Sequence, residues 1–162
     1  MKQKIFIDLD GVLSDFFSDW KNLTGEWWYE MKDINNNLDK IRNTKNFWIN
    51  LPFLQNGKKL ISFLEKNKLS YSILSAPLLN DQYCIKGKKQ WVEKNLSFHP
   101  PENIIISGKK EHYAKHKSGQ PNILIDDFGE NIEKWQLAGG IGIKHKEWKF
   151  SRTIGKLKNY LI

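Results

Sequence analysis

Two aspartates one residue apart, Asp8 and Asp10, close an apolar run and lead straight into a glycine in the stretch Ile5-Phe6-Ile7-Asp8-Leu9-Asp10-Gly11-Val12-Leu13. Aspartate is a poor strand former, so two of them at the end of an Ile/Phe/Ile strand cost local stability and call for a reason. Side chains alternate along an extended strand, so Asp8 and Asp10 leave on one side while Leu9 packs behind them. Both carboxylates can then meet one ligand. If that ligand is a phosphoryl group with a hard divalent cation, one aspartate can attack phosphorus while its neighbour serves as acid and base for the leaving oxygen. Gly11 lets the backbone turn sharply and approach the phosphate. The plain alternative is a strand passing into a turn, where Asp and Gly are common.

A second acidic pair, Asp126-Asp127, follows the run Ile123-Leu124-Ile125. Adjacent like charges after a buried strand repel unless a cation or a shared proton sits between them, and Mg²⁺ resolves that conflict. Magnesium takes octahedral oxygen ligands, which suits carboxylates and a carbonyl. Taken alone, the pair also fits as an N-cap for a helix beginning near Glu130. Two more apolar runs end in useful groups: Ile73-Leu74-Ser75-Ala76-Pro77 offers a hydroxyl and free amides, and the run through Ile106 ends at Ser107-Gly108-Lys109-Lys110. Phosphate esters hydrolyse very slowly, so a catalyst must align an attacking oxygen and neutralise charge on the transferring group. Asp8 supplies the first; Mg²⁺, the strand-end amides and a lysine supply the second. Lys88 is the candidate for that role, its plain alternative being a solvated helix lysine in so basic a chain, and Lys110, which follows the third strand, is the competitor.

The elements that must position these groups follow from hydrophobic spacing. Short β-branched runs at residues 4–8, 70–74, 103–106, 123–125 and 141–143 are too continuously apolar for half-exposed strands. Helix-period segments lie between them at residues 58–67, 86–95, weakly at 111–117, and at 130–138. This alternation predicts an α/β protein with an open parallel sheet, Rossmann-like, with helices on both faces. In such sheets the ligand sits beyond the carboxyl ends of the strands. Gly139-Gly140 ends the last of these helices, and the basic segment 144–158 reads as a final amphipathic helix with a solvated lysine face.

With 162 residues, 40% of them hydrophobic and 13% aromatic, the chain suits one domain with a real core. The net charge of +8, from 26 Lys+Arg against 18 Asp+Glu, favours anionic partners without choosing among phosphorylated metabolites, nucleic acid and acidic surfaces. One cysteine, Cys84, excludes an internal disulfide and a cysteine-built metal site, so a reducing compartment is expected. His99, His112, His116 and His145 have no zinc-site spacing. The first apolar run is interrupted by Asp8 and Asp10, unlike a signal peptide, and no stretch approaches transmembrane length. A cytoplasmic protein with no membrane partner is the expectation.

The order Asp-Leu-Asp-Gly-Val, strand-Ser, lysine, strand-Asp-Asp resembles the haloacid dehalogenase-like phosphohydrolases over nearly the whole chain. The stretches Asp8-Leu9-Asp10-Gly11-Val12-Leu13-Ser14-Asp15-Phe16, Phe47-Trp48-Ile49-Asn50-Leu51-Pro52, Ile73-Leu74-Ser75-Ala76-Pro77, Lys88-Lys89-Gln90-Trp91-Val92-Glu93-Lys94 and Leu124-Ile125-Asp126-Asp127 are similar to the 5'(3')-deoxyribonucleotidase branch. The resemblance implies that Asp8 forms an aspartyl-phosphate, and that Asp10 protonates the leaving oxygen and later activates water. It implies that Ser75 and the amides near Leu9 and Ala76 hold phosphate, that Lys88 neutralises it, and that Asp126 and Asp127 hold Mg²⁺ with Asp8 and the Asp10 carbonyl. Asp127 is the choice for the direct ligand. The chain departs from the pattern at Ala76, where relatives often carry a second hydroxyl, and at Gly108, where some carry a basic residue.

Residues 14–55 do not follow the strand-helix rhythm and have the length of a small helical insertion. They hold Phe16, Phe17, Trp20, Trp27, Trp28, Tyr29, Phe47, Trp48 and Phe53. By resemblance this is a cap that closes over the strand ends within a single domain of residues 1–162; a cap excludes water and selects the leaving group. Aromatic faces stack on nucleobases, and Trp28, Tyr29, Phe47 and Trp48 are the candidates, although most of the rings serve equally as the cap's own core. The reading is a Mg²⁺-dependent phosphomonoesterase acting on (deoxy)nucleoside monophosphates. Its rivals are a phosphatase for nucleic-acid ends or another small phosphate ester, and a non-catalytic binding protein of the same fold.

Overall fold

The computed structural model describes residues 3–42 and 44–160. Five strands, β1 (Ile5–Ile7), β2 (Ser72–Ser75), β3 (Ile104–Ile106), β4 (Ile123–Asp126) and β5 (Ile141–Lys144), form one sheet in the order β3-β2-β1-β4-β5 with every pair parallel. The helices are α1 (Phe16–Thr24), α2 (Ile34–Arg42), α3 (Gln55–Lys66), α4 (Cys84–Asn95), α5 (Gly129–Leu137) and α6 (Phe150–Lys158). Alternation along the strands divides the core in two. Ile5, Ile7, Ile73, Ile123, Ile125 and Ile143 join Leu60, Ile61 and Leu64 of α3, Trp91 and Val92 of α4 and Leu157 of α6. On the opposite face Phe6, Leu74 and Leu124 meet Ile132 and Trp135 of α5, with the Phe6 and Trp135 rings edge-on at 5.6 Å. Both faces are covered, which explains strands that are apolar throughout rather than alternating.

The chain runs from β1 outward to β2 and β3, then returns to the other side of β1 for β4 and β5. The strand order therefore reverses at β1, and a crevice opens beyond the carboxyl ends at that reversal. Ile7 lies level with Ile73 on one side and Ile125 on the other, so the residues that follow β1, β2 and β4 converge on one spot.

The helix expected over 111–117 is replaced by a single 3-10 turn, Lys110–Tyr113. The chain then reverses through Gly119, at φ +84, and Lys115 pairs with Pro121. The physical reason is sequence content: a Gly and a Pro follow within the next turns, and the turn's buried members, Lys110 and Ala114, leave no continuous apolar helix face.

Residues 14–55 contain α1 and α2. The Asp15 carboxylate caps α1 by accepting from the Ser18 amide at 3.2 Å, and Gly25, at φ +88, ends it. Phe16, Trp20, Ile41, Phe47, Trp48 and Leu51 are buried in the same continuous core as the sheet. The returning chain is tied to the body where Trp91 Nε1 donates to the Leu51 carbonyl at 2.7 Å. Among the described residues, no helix is long and apolar enough to cross a membrane.

Candidate active site

Immediately after β1, the Asp8 amide continues the ladder by donating to the Ile125 carbonyl at 3.0 Å. The amides of Val12, Leu13 and Ser14 then all donate to the Leu9 carbonyl, at 3.1, 2.8 and 2.9 Å, winding residues 9–14 into one tight turn. Gly11 sits at φ +78 in that turn, and a Cβ there would collide with the Asp127 carboxylate and come within 2.8 Å of the Phe17 ring. Only glycine meets both conditions. The turn thus places Asp10 beside Asp8 and brings the backbone against Asp127.

The structure gathers Asp8, Asp10, Ser75, Lys88, Lys110, Asp126 and Asp127 at this one place. Ligand oxygens of Asp8, Asp126 and Asp127 lie within 4.8 Å of one another. The two lysines that the sequence left as competitors occupy separate posts. Lys88, buried on α4, donates to Asp10 Oδ2 at 2.7 Å, Ser75 Oγ at 2.9 Å and the Ala76 carbonyl at 2.7 Å. Lys110, buried in the 3-10 turn, is 2.9 Å from Asp8 Oδ1 and 2.6 Å from Asp126 Oδ2. Lys110 therefore stands between two carboxylates and Lys88 among a carboxylate, a hydroxyl and a carbonyl, neither of them in solvent. Such buried pairs are costly to assemble, since desolvation offsets much of the attraction.

Three supporting contacts carried no clear sequence signal. Ser14 Oγ donates to Asp10 Oδ1 at 3.2 Å, Asn131 Nδ2 donates to Asp126 Oδ2 at 3.0 Å, and the Phe128 amide donates to Asp126 Oδ1 at 2.8 Å. Asn131 was the most findable, being a polar residue in the first turn of the helix after the acidic pair.

Electrostatically the acid cluster is overcrowded. Burial, then the charges of Asp8, Asp126 and Asp10, push the Asp127 carboxyl from 3.8 up to about 8, with Lys146 opposing. Burial and the Asp8 charge also raise Asp126, against the pull of Lys110. Burial works against the Lys110 ammonium, but Asp8 and Asp126 outweigh it and hold its pKa above the usual lysine value. Asp8 Oδ1 is buried and, despite the nearby ammonium, makes no hydrogen bond of good geometry. Carboxylates crowded this way, one of them with an unsatisfied oxygen, are a hard-cation donor set.

A cavity of about 320 Å³ opens above the cluster, bounded by Asp8, Asp10, Lys88 and Asp127 below and by Phe16, Phe17, Trp28, Leu38 and Trp48 from residues 14–55. Of the four aromatic candidates, Trp28 and Trp48 line it. Phe47 is buried in the core, and Tyr29 is exposed and faces a neighbouring cleft. Trp48 is held firmly: its ring stacks on Phe16 at 5.8 Å, its Nε1 donates to Asp81 Oδ2 at 2.8 Å, and Lys88 Nζ lies 4.8 Å from its ring centre. Phe128, exposed and directly after the acidic pair, also lines the cavity and was not singled out by the sequence.

Residues 2–149 match the family described as 5' nucleotidase, deoxy (pyrimidine), cytosolic type C protein (NT5C). The chain belongs to this family. Two 5'(3')-deoxyribonucleotidases, from Bacillus subtilis strain 168 and from Bacillus phage SPbeta, are each 28% identical to it over 149 residues, covering 84% of this chain and 82% of theirs. Among solved structures, a hydrolase from Streptococcus pneumoniae TIGR4 superposes with a TM-score of 0.59 at 14% identity, covering 96% of this chain and 100% of that one. A HAD-family enzyme from Bacteroides thetaiotaomicron, in complex with magnesium and inorganic phosphate, superposes with a TM-score of 0.54 at 16% identity, covering 91% and 96%. The fold is that of the haloacid dehalogenase-like hydrolases, and the chain is a phosphoric monoester hydrolase of the deoxyribonucleotidase branch.

Proposed function

We propose that this nucleotidase-family phosphatase releases phosphate from deoxynucleoside monophosphates through an aspartyl-phosphate on Asp8, with Mg²⁺ as cofactor. The observation that carries the reading is the meeting of two carboxylates with different partners under one aromatic roof. Asp8 faces the acid cluster and Lys110, while Asp10 is held by Lys88 and Ser14.

Asp8 attacks phosphorus, and the bond to the leaving oxygen breaks as Asp10 delivers a proton to it. Lys88, anchored between Ser75 and Asp10, sits where it meets negative charge on the transferring group, and Ser75 Oγ offers a further donor. Asp10, now a carboxylate, takes a proton from water, which attacks the aspartyl-phosphate and regenerates Asp8. Asp8, Asp126 and Asp127, with the Asp10 carbonyl, are the residues that would hold magnesium; when bound, it supplies charge neutralisation at the phosphoryl oxygens. Lys110 keeps Asp126 and Asp8 oriented and offsets part of their repulsion. Trp28 and Trp48 bound the space next to the phosphate site, and about 320 Å³ lies at the lower end of small-molecule sites, the scale of a single nucleotide.

The substrate test is a comparison of kcat/KM for deoxynucleoside monophosphates and glycerol phosphate in Mg²⁺. The base-bearing substrates should win by about 5- to 100-fold, the equivalent of one base-aromatic contact. Equal values would remove the base from the assignment.

A further inference from the structure

Beyond Phe17 and Asp127, which form part of its wall, a second cleft of about 530 Å³ adjoins the catalytic cavity, and the reaction above makes no use of it. The insertion contributes Trp27 and Tyr29, whose rings lie parallel within 10° at 6.0 Å. The body contributes Trp148, from the segment after β5, and Lys146. Tyr29 is 74% exposed and Trp148 76% exposed, a poor place for two large rings unless something covers them. Cations accompany the rings: Lys21 Nζ lies 4.3 Å from the centre of Trp27, and Lys146 Nζ lies 5.8 Å from the centre of Trp148. The three carboxylates in the wall have work inside the protein, Asp127 in the acid cluster with Asp8 and Asp126. Asp15 caps α1, and Glu147 accepts from the Asn56 amide at 3.0 Å while its other oxygen is buried. What remains is aromatic faces and the Lys146 ammonium in the lining, with Lys21 outside it against Trp27, and rings with a cation are the combination that binds a base and its phosphate.

We propose that this cleft is a second nucleotide subsite, in which a base seats against Trp148 and the Trp27–Tyr29 pair and the accompanying phosphate meets Lys146 and Lys21. The inference rests on reading the adjoining cavity as the site of a nucleoside monophosphate. The two spaces share the wall residues Phe17 and Asp127, and a short 5'-phosphorylated strand that crosses this wall would put its terminal nucleotide over Asp8 and the next one in the cleft. A free nucleotide is the other source of the same chemistry. Either occupant bridges the insertion and the body, since the rings come from both.

Trp148→Ala and Tyr29→Ala remove exposed rings, and unchanged melting temperatures verify that the fold is kept. If the next nucleotide of a strand is the occupant, each variant lowers kcat/KM for a 5'-phosphorylated dinucleotide by about 5- to 100-fold, and leaves the deoxynucleoside monophosphate within twofold. If a free nucleotide is the occupant, the wild-type rate departs from a hyperbola as the monophosphate concentration rises, and the variants restore the hyperbola. Wild-type behaviour of both variants in both arms overturns the proposal. Should the monophosphate not be hydrolysed at all, the reading of the catalytic cavity fails separately. Quenching of tryptophan fluorescence by the dinucleotide then still decides the cleft: quenching that weakens in Trp148→Ala supports it, and quenching unchanged in that variant overturns it.

Discussion

At the strand ends, Asp8, Asp126, Lys88 and Lys110 are charged groups buried almost completely, while within residues 14–55 Phe16, Trp20 and Phe47 are apolar groups buried in the ordinary way. The floor of the cavity costs stability: its carboxylates repel, its ammoniums are desolvated, and the ion pairs of Lys88 and Lys110 offset only part of this. The roof gains stability, because most of its rings pack on one another, with Trp20 and Trp28 at 4.8 Å and Phe47 and Trp48 at 5.2 Å. The contrast teaches where to look for chemistry in this molecule. A charge in the floor has no packing reason to be there, whereas a ring in the roof usually does.

The largest effect is expected at Asp8. Asp8→Asn should lower Mg²⁺-dependent turnover by on the order of 10³-fold or more, since an amide neither attacks phosphorus nor carries the charge that holds a cation. Its melting temperature in chelator should not fall, because one repelling charge is gone. A destabilised protein that keeps its turnover would place Asp8 in the scaffold instead.

The roof sharpens the comparison through two tryptophans. Trp20 is fully buried behind the lining rings Phe16 and Trp28 and does not itself line the cavity, so Trp20→Ala should cost about 3–5 kcal/mol of stability, read by denaturant unfolding. Trp28 lines the cavity and is half-buried, so Trp28→Ala should cost less stability and raise KM for the nucleotide more. Equal effects on both readouts would dissolve the distinction between core ring and lining ring.

A smaller effect is expected at Asp127 in metal-free protein. Its pKa is about 8 when folded against an ordinary 3.8, so the native state holds this proton more tightly than the unfolded chain. That contribution to stability is fully present below about 3.8 and is lost as pH rises through about 8. Asp127→Asn should therefore be more stable than wild type in chelator near pH 9, with the gap closing toward pH 4, and should respond less to Mg²⁺. Melting temperatures across that range, with and without Mg²⁺, check it; equal shifts in both proteins would make the acidic pair structural.

The legible parts of the sequence are those where one residue type has few excuses. Five continuous apolar runs implied a doubly covered parallel sheet, and the acids at the ends of two runs pointed to the same crevice because strand ends at a reversal point must meet. The insertion was harder. Its rings were readable as aromatic, but whether Trp48 or Phe47 faces the cavity depends on how α1 and the returning chain pack, which spacing alone does not encode. Lys110 was legible only as a lysine after a strand. Its burial between Asp8 and Asp126 depends on a 3-10 turn that the sequence pattern suggested as a longer helix.

The central claim is that the crowded carboxylates exist to serve a cation during phosphate removal. The direct measurement is the rate of phosphate release from a deoxynucleoside monophosphate in Mg²⁺ and in excess chelator. Turnover is expected in Mg²⁺, with loss of turnover in chelator that added Mg²⁺ restores. Undiminished release in chelator, or no release in Mg²⁺, would contradict it.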